Sequence, residues 1–238
     1  MKKVICVISL TLTVAAICAQ QTIDGVGKLR LGSSPEVLKE IGFDLDNTIP
    51  ITSTREYFDL VYSKKSGGNV YQLFPEKEKN EDYGAASLDG RVSVYFIPEY
   101  NPAGNVVMRR VYLRFLNDSL YYIKADQLKE LTNAFDLKYG KSTYFSSKDM
   151  DDFKKYSDES IPETIHIFRD KWQTGDPKIL CSVGEFTNHK LKGSNNKTSF
   201  FIITDLAKYA NVSKAEYKIK ASIKENEIQD KLKDLEGL

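Results

Sequence analysis

Short runs of aromatic and β-branched residues recur along this chain and constrain its fold more than any other feature. Polar, turn-rich spacers separate most of these runs, and strand–helix–strand alternation is absent. The sequence therefore predicts an α+β fold built on a mostly antiparallel sheet rather than a doubly wound parallel sheet. The predicted strands cover residues 57–62, 70–74, 92–97, 106–115, 120–123, 164–171, 178–186 and 198–204.

About three helices are predicted to pack on this sheet, over residues 33–42, 126–139 and from 213 onward. The last of them begins with a capping box, in which Ser213 is followed three residues later by Glu216. Its apolar residues at helical spacing are Ile219, Ile223, Ile228, Leu232 and Leu235.

The strongest predicted hairpin joins residues 106–115 to residues 120–123 through Asn117 and Asp118. One face of its first strand is apolar and carries Val107, Val111, Leu113 and Phe115. Arg110 and Arg114 lie on the opposite face, which we expect to be solvated.

The N-terminus has the pattern of a secretory signal peptide. Two lysines precede an apolar run over residues 4–16, and small residues stand just before Gln20. We expect cleavage after Ala19, which leaves residues 20–238 as one domain of a periplasmic or extracellular protein. The alternative is lipidation at Cys18, which the bulky residue Ile17 disfavours. No later stretch is apolar enough to predict a transmembrane segment.

Charge and cysteine content restrict the remaining possibilities. Lys and Arg number 34 against 33 for Asp and Glu, so no overall field favours nucleic acid as a partner. Removal of the leader leaves Cys181 as the single cysteine, in an apolar segment that predicts a buried strand. We therefore expect neither a disulfide nor a catalytic thiol.

The segment from Phe43 to Ile49 carries Asp44, Asp46 and Thr48 in a D-x-D-x-T arrangement. This segment resembles the first motif of the haloacid dehalogenase superfamily. The resemblance implies a Mg²⁺-dependent phosphatase, with Asp44 as the nucleophile and Asp46 as the general acid/base. In that superfamily the nucleophile follows a buried parallel strand.

The residues around this motif favour a different interpretation. Residues 37–42 predict a helix that ends at Gly42, so Asp44 follows a helix rather than a strand. The apolar strand at residues 200–204, which is similar to the second motif, comes too late in the chain for an acidic motif to follow it. The sequence therefore predicts a polar loop at residues 44–48, and the phosphatase is kept as the alternative.

Residues 32–42 also resemble the opening of a small envelope family, in which Gly and Ser lead into a helix that ends in Ile-Gly. This family comprises outer-membrane assembly lipoproteins and β-lactamase-inhibitor-like domains, whose helices pack on a small antiparallel sheet. Its members bind proteins, so the resemblance implies an interaction module and supplies no binding residue. The end of the second predicted helix, residues 138–141, is similar.

Together these patterns predict a secreted or periplasmic cell-envelope protein that binds an unidentified protein or envelope component, with no catalytic residue, metal or cofactor. A faint echo between residues 28–42 and 120–140 suggests two related halves, about 20–115 and 116–238.

Overall fold

The computed structural model describes residues 22–62, 68–76, 86–144, 164–188 and 197–236. Nine strands of these residues form one large sheet, in the order β3-β4-β5-β6-β7-β11-β10-β9-β8, and β1 pairs with β2 separately. The strands are β1 Gly25–Val26, β2 Leu29–Arg30, β3 Ile49–Ile51, β4 Tyr71–Leu73, β5 Val92–Ala103, β6 Val106–Leu116, β7 Ser119–Asp126, β8 Thr143–Tyr144, β9 Thr164–Trp172, β10 Ile179–Asn188 and β11 Lys197–Asp205.

The predicted α+β class with a mostly antiparallel sheet is confirmed. One pair departs from the prediction, because β3 runs parallel to β4 at the edge of the sheet. The connection between these two strands contains a helix, which is the crossover that a parallel pair requires.

The described residues form four helices, one more than expected. They are α1 Val37–Glu40, α2 Thr54–Tyr62, α3 Lys129–Tyr139 and α4 Leu206–Glu236. None of the described helices is both long and apolar enough to span a membrane.

Helix α2 corrects the prediction of a strand over residues 57–62. A capping box starts this helix: the Glu56 carboxylate accepts hydrogen bonds from the backbone N–H groups of Thr52 at 2.9 Å and Ser53 at 3.2 Å. The Ser53 hydroxyl in turn accepts one from the Glu56 backbone N–H at 3.3 Å. The Ser53–Glu56 spacing was the sequence signal for this helix.

The starts of the other two long helices also differ from the prediction. Asp126 ends β7 instead of opening α3, which begins at Lys129. Helix α4 begins seven residues before Ser213, at Leu206, and the Asp205 carboxylate accepts a hydrogen bond from the Lys208 backbone N–H at 3.1 Å. The Ser213–Glu216 spacing therefore does not mark a helix terminus.

The two faces of the sheet carry different layers. On the first face, the main hydrophobic core packs α1 and α3 against the central strands. The β6 residues of this core are Met108, Val111, Leu113 and Phe115. On the second face, α2 packs on β4 and β5, and α4 crosses β7 and β11.

Candidate functional site

The two carboxylates that the alternative phosphatase interpretation makes catalytic, Asp44 and Asp46, lie in an exposed turn between α1 and β3. Asp44 Oδ1 accepts hydrogen bonds from the backbone N–H groups of Asp46 at 3.1 Å and Asn47 at 3.2 Å, and its Oδ2 accepts one from Asn47 Nδ2 at 2.6 Å. Hydrogen bonds from the Asn47 side chain and backbone lower the pKa of Asp44. Asp46 forms an ion pair with Lys39 at 2.8 Å.

This geometry is that of an Asx turn, in which the aspartate organises the backbone that follows it. Asp44 follows α1, and Gly42 between them has a positive φ of 94°. No three His, Cys, Asp or Glu side chains in the described ranges are grouped so that they could hold a metal ion. The local hydrogen bonds therefore explain why these residue types stand at these positions.

Cys181 lies fully buried in the main core. Burial raises the pKa of its thiol well above the usual value, so the reactive thiolate is disfavoured. The expectation of a buried strand at this position is confirmed.

A polar cluster on the second face fixes α4 to the sheet. Arg114 on β6 pairs with Glu216 on α4 at 2.6 Å, and both side chains are largely buried. The Ser87 hydroxyl donates a hydrogen bond to the same carboxylate oxygen of Glu216. The Tyr122 and Tyr209 rings stack beside this pair, 5.9 Å apart at an interplanar angle of 18°.

The second face is therefore not the solvated surface that the arginine pattern predicted. Arg110 also has a partner there, since its Nε donates to the two oxygens of Asp126 at 2.9 and 2.8 Å. The alternation of the strand placed both arginines on the correct face, but it could not show that α4 covers part of that face.

The β3–β4–α2 edge of the sheet exposes a group of large apolar side chains. Phe58 and Tyr62 lie one turn apart on the outer face of α2, with exposed fractions of 48% and 75%. Their rings stack at 6.0 Å with an interplanar angle of 18°. Ile49 in β3 and Phe74 next to β4 are also exposed. We call the stacked pair of Phe58 and Tyr62 the aromatic edge.

The opposite face of α2 explains why the aromatic edge points outward. Tyr57, Leu60 and Val61 pack against a smaller hydrophobic cluster on the second face of the sheet, and the Tyr57 hydroxyl hydrogen-bonds that of Tyr112 at 2.8 Å. The buried members of this cluster are Ile51, Leu73, Ala86, Val94 and Phe96. With three side chains committed to the sheet, the helical repeat places Phe58 and Tyr62 away from it. Because residues 57–62 were predicted to be a strand, the sequence prediction did not identify this surface.

The edge strand beside this surface is poorly suited to pair with a further strand. β3 has three residues, and its middle residue is Pro50, which has no N–H to donate. The N–H of Ile49 and the carbonyl of Ile51 are used within the sheet, by Val70 and Phe74. Contact with a partner at this edge would therefore be made by side chains.

A shallow depression of about 600 Å³ lies beside α1 and is lined by Gly27, Lys28, Arg30, Ser33, Ser34, Val37 and Glu40. Its two cationic side chains already have partners. Lys28 Nζ donates to the Glu40 carbonyl at 2.9 Å, and Arg30 pairs with Asp24. The depression therefore offers an incoming anion no unpaired basic side chain from the residues that line it.

Comparison with known proteins gives no relative: no family model, curated protein or solved structure matches the chain.

Proposed function

We propose that the chain is a secreted or periplasmic cell-envelope protein that acts by binding, as a non-catalytic interaction module. The observation that carries this proposal is the exposed, stacked pair of Phe58 and Tyr62 on a helix whose other face is packed. Single exposed apolar residues are ordinary on soluble proteins, whereas a contiguous apolar group is a feature of interaction surfaces.

The proposed partner is a protein, which docks on the aromatic edge through side-chain contacts. Aromatic residues are enriched at the buried centres of protein interfaces, where they supply a large apolar area with few rotatable bonds. The sheet behind α2 holds this helix in place through Tyr57, Leu60 and Val61, so the two exposed rings are presented on a rigid support. The resemblance of residues 32–42 to envelope interaction domains is in keeping with this proposal.

The proposed location depends on the leader at residues 1–19. N-terminal sequencing of the exported protein is expected to give Gln20 as the first residue. An acylated N-terminal cysteine at position 18 would instead support lipid anchoring, and full-length chain retained in the cytoplasm would contradict the proposed location.

The proposed surface is tested by the double variant Phe58→Ala/Tyr62→Ala in partner capture from envelope extracts. Leu137→Ala is the matched control, because Leu137 is 89% exposed on α3 and lies outside the aromatic edge. We expect the double variant to lose at least about tenfold in affinity for the captured protein, and the control to lose little. Equal capture of the partner by the unaltered protein, the double variant and the control would contradict the assignment of this surface.

A further inference from the structure

Lys124 occupies an unusual position at the centre of the second face of the sheet. It lies on β7, with Tyr112 of β6 and Ile202 of β11 directly beside it in the register of the sheet. Its Nζ is 5.0 Å from the centroid of the Phe200 ring and 5.9 Å from that of Tyr112. The Phe200 ring is itself held in place against Gly184, where an added Cβ would come within 2.4 Å of the ring.

The charges around Lys124 do not balance. Two other cations face it from β6, and each has a carboxylate partner: Arg110 holds Asp126, and Arg114 holds Glu216. Within the described part of the chain, Lys124 Nζ forms cation–π contacts but no hydrogen bond and no ion pair. These five side chains are three cations and two carboxylates, so the positive charge of Lys124 has no carboxylate partner among them.

Desolvation and the two neighbouring arginines destabilise the ammonium form of Lys124, and Asp126 opposes them only in part. They lower the pKa of Lys124 to about 8. The two phenolic hydroxyls nearby, of Tyr57 and Tyr112, have raised pKa values and stay neutral in this range. Lys124 as a residue is partly exposed to solvent, and the proposal requires that a small molecule reach its amine.

We propose that Lys124 is a covalent binding site for small aldehydes, which its amine captures as an imine between the Tyr112 and Phe200 rings. This site is separate from the aromatic edge and does not depend on the function proposed for it. Lysines that form imines in proteins share its main feature, an amine that is desolvated or placed near another cation.

The reaction needs no further reactant. The lone pair of the neutral amine attacks the carbonyl carbon, and the carbonyl oxygen takes up a proton as the nitrogen loses one, which gives a carbinolamine. Loss of the hydroxyl group as water, together with the second proton of the nitrogen, forms the C=N bond. Each imine therefore releases one water molecule, and the reaction is reversible.

Site-resolved reductive alkylation tests the proposal. The intact protein is treated at pH 7 with limiting acetaldehyde and sodium cyanoborohydride, which traps the imine by hydride transfer to its carbon, and modification is followed by peptide mass spectrometry. Lys138 is the matched control, because its Nζ also lies 5.0 Å from a ring, that of Tyr139, but the residue is exposed on α3.

We expect Lys124 to react at least about tenfold faster than Lys138 at pH 7, because its lowered pKa leaves more of its amine neutral than a lysine in water would have. The rate at Lys124 should rise between pH 6 and pH 7, as more of its amine loses its proton. A Lys124 that reacts no faster than Lys138 at pH 7, or that stays unmodified at every pH, would overturn the proposal.

A variant checks that the fast site is Lys124 itself. Lys124→Arg keeps the cation but cannot form an imine, and it should abolish the fast phase of modification while the Lys138 rate is unchanged. A fast phase that persists in this variant would also overturn the proposal.

Discussion

Arg114 and Glu216 form the ion pair on which we expect the docking of α4 to depend most. Their side chains are 15% and 16% exposed, so removal of one charge leaves the other poorly solvated. Glu216→Gln is therefore expected to lower the free energy of unfolding by about 3 kcal/mol. Urea denaturation followed by circular dichroism measures this change.

The Arg109–Glu99 pair provides the control, because its atoms are 3.9 Å apart and its side chains are 62% and 42% exposed. Arg109→Gln should cost less than about 1 kcal/mol. Replacing both partners of the buried pair, as Arg114→Met/Glu216→Leu, should recover much of the loss. Equal losses from Glu216→Gln and Arg109→Gln would show that the Arg114–Glu216 pair does not hold α4.

At the scale of single residues, the sequence predicted which face of a strand a side chain occupies better than it predicted which residues cover that side chain. The period of a strand placed Arg114 opposite Leu113 and Phe115, as the structure has it. It could not show that Glu216, about a hundred residues later, covers this arginine, because that contact depends on how α4 crosses the sheet. The turn at Asp44 was predictable because its hydrogen bonds are local.

Helix α4 has two apolar stripes on opposite sides, whereas the sequence analysis predicted a single stripe. At 100° per residue, Ile219 and Ile223 share the side that holds buried Val212, whereas Ile228 and Leu232 lie on the other side. Ile228 and Leu232 are 49% and 48% exposed. The C-terminal part of α4 therefore contributes little to the core.

This division predicts unequal effects of two alanine substitutions in the same helix. Val212→Ala, at a position that is 1% exposed, should lower the free energy of unfolding by about 2 kcal/mol. Ile228→Ala should change it by less than about 0.5 kcal/mol. Thermal unfolding of both variants measures the difference, and a larger loss from Ile228→Ala would contradict the packing described for α4.

At the scale of elements, the predictions failed where a short apolar run was compatible with two structures. Residues 57–62 contain the aromatic and apolar side chains of a strand, yet they also fit one and a half helical turns. The hairpin of β6 and β7 was predicted correctly, because alternation and the Asn117–Asp118 turn point to the same structure.

The whole molecule is expected to unfold as one unit, although its sheet order suggests two related halves. Strands β5, β6 and β7 are neighbours in the sheet, and so are β9, β10 and β11. The two sets are joined where β7, the last strand of the first set, pairs with β11, the last strand of the second. A division after β7 would keep the β6–β7 hairpin intact, which the predicted boundary at 115/116 does not.

One hydrophobic core contains residues from both sides of the β7–β11 pair, from Ile23 to Ile203. We therefore expect a single unfolding transition that is the same by two probes. Fluorescence of Trp172, the one tryptophan of the chain, reports on β9, and far-ultraviolet circular dichroism reports on the whole. Two separate transitions would mean that the halves are independent domains.

The proposed binding role is tested most directly by photo-cross-linking in the cells that produce the protein. A photoreactive phenylalanine analogue replaces Tyr62 in one variant and Leu137 in a second, since both positions are highly exposed. The proposal predicts a cross-linked protein of one defined mass from position 62, absent from position 137 and lost when Phe58→Ala is added. No adduct from position 62, or the same adducts from both positions, would contradict it.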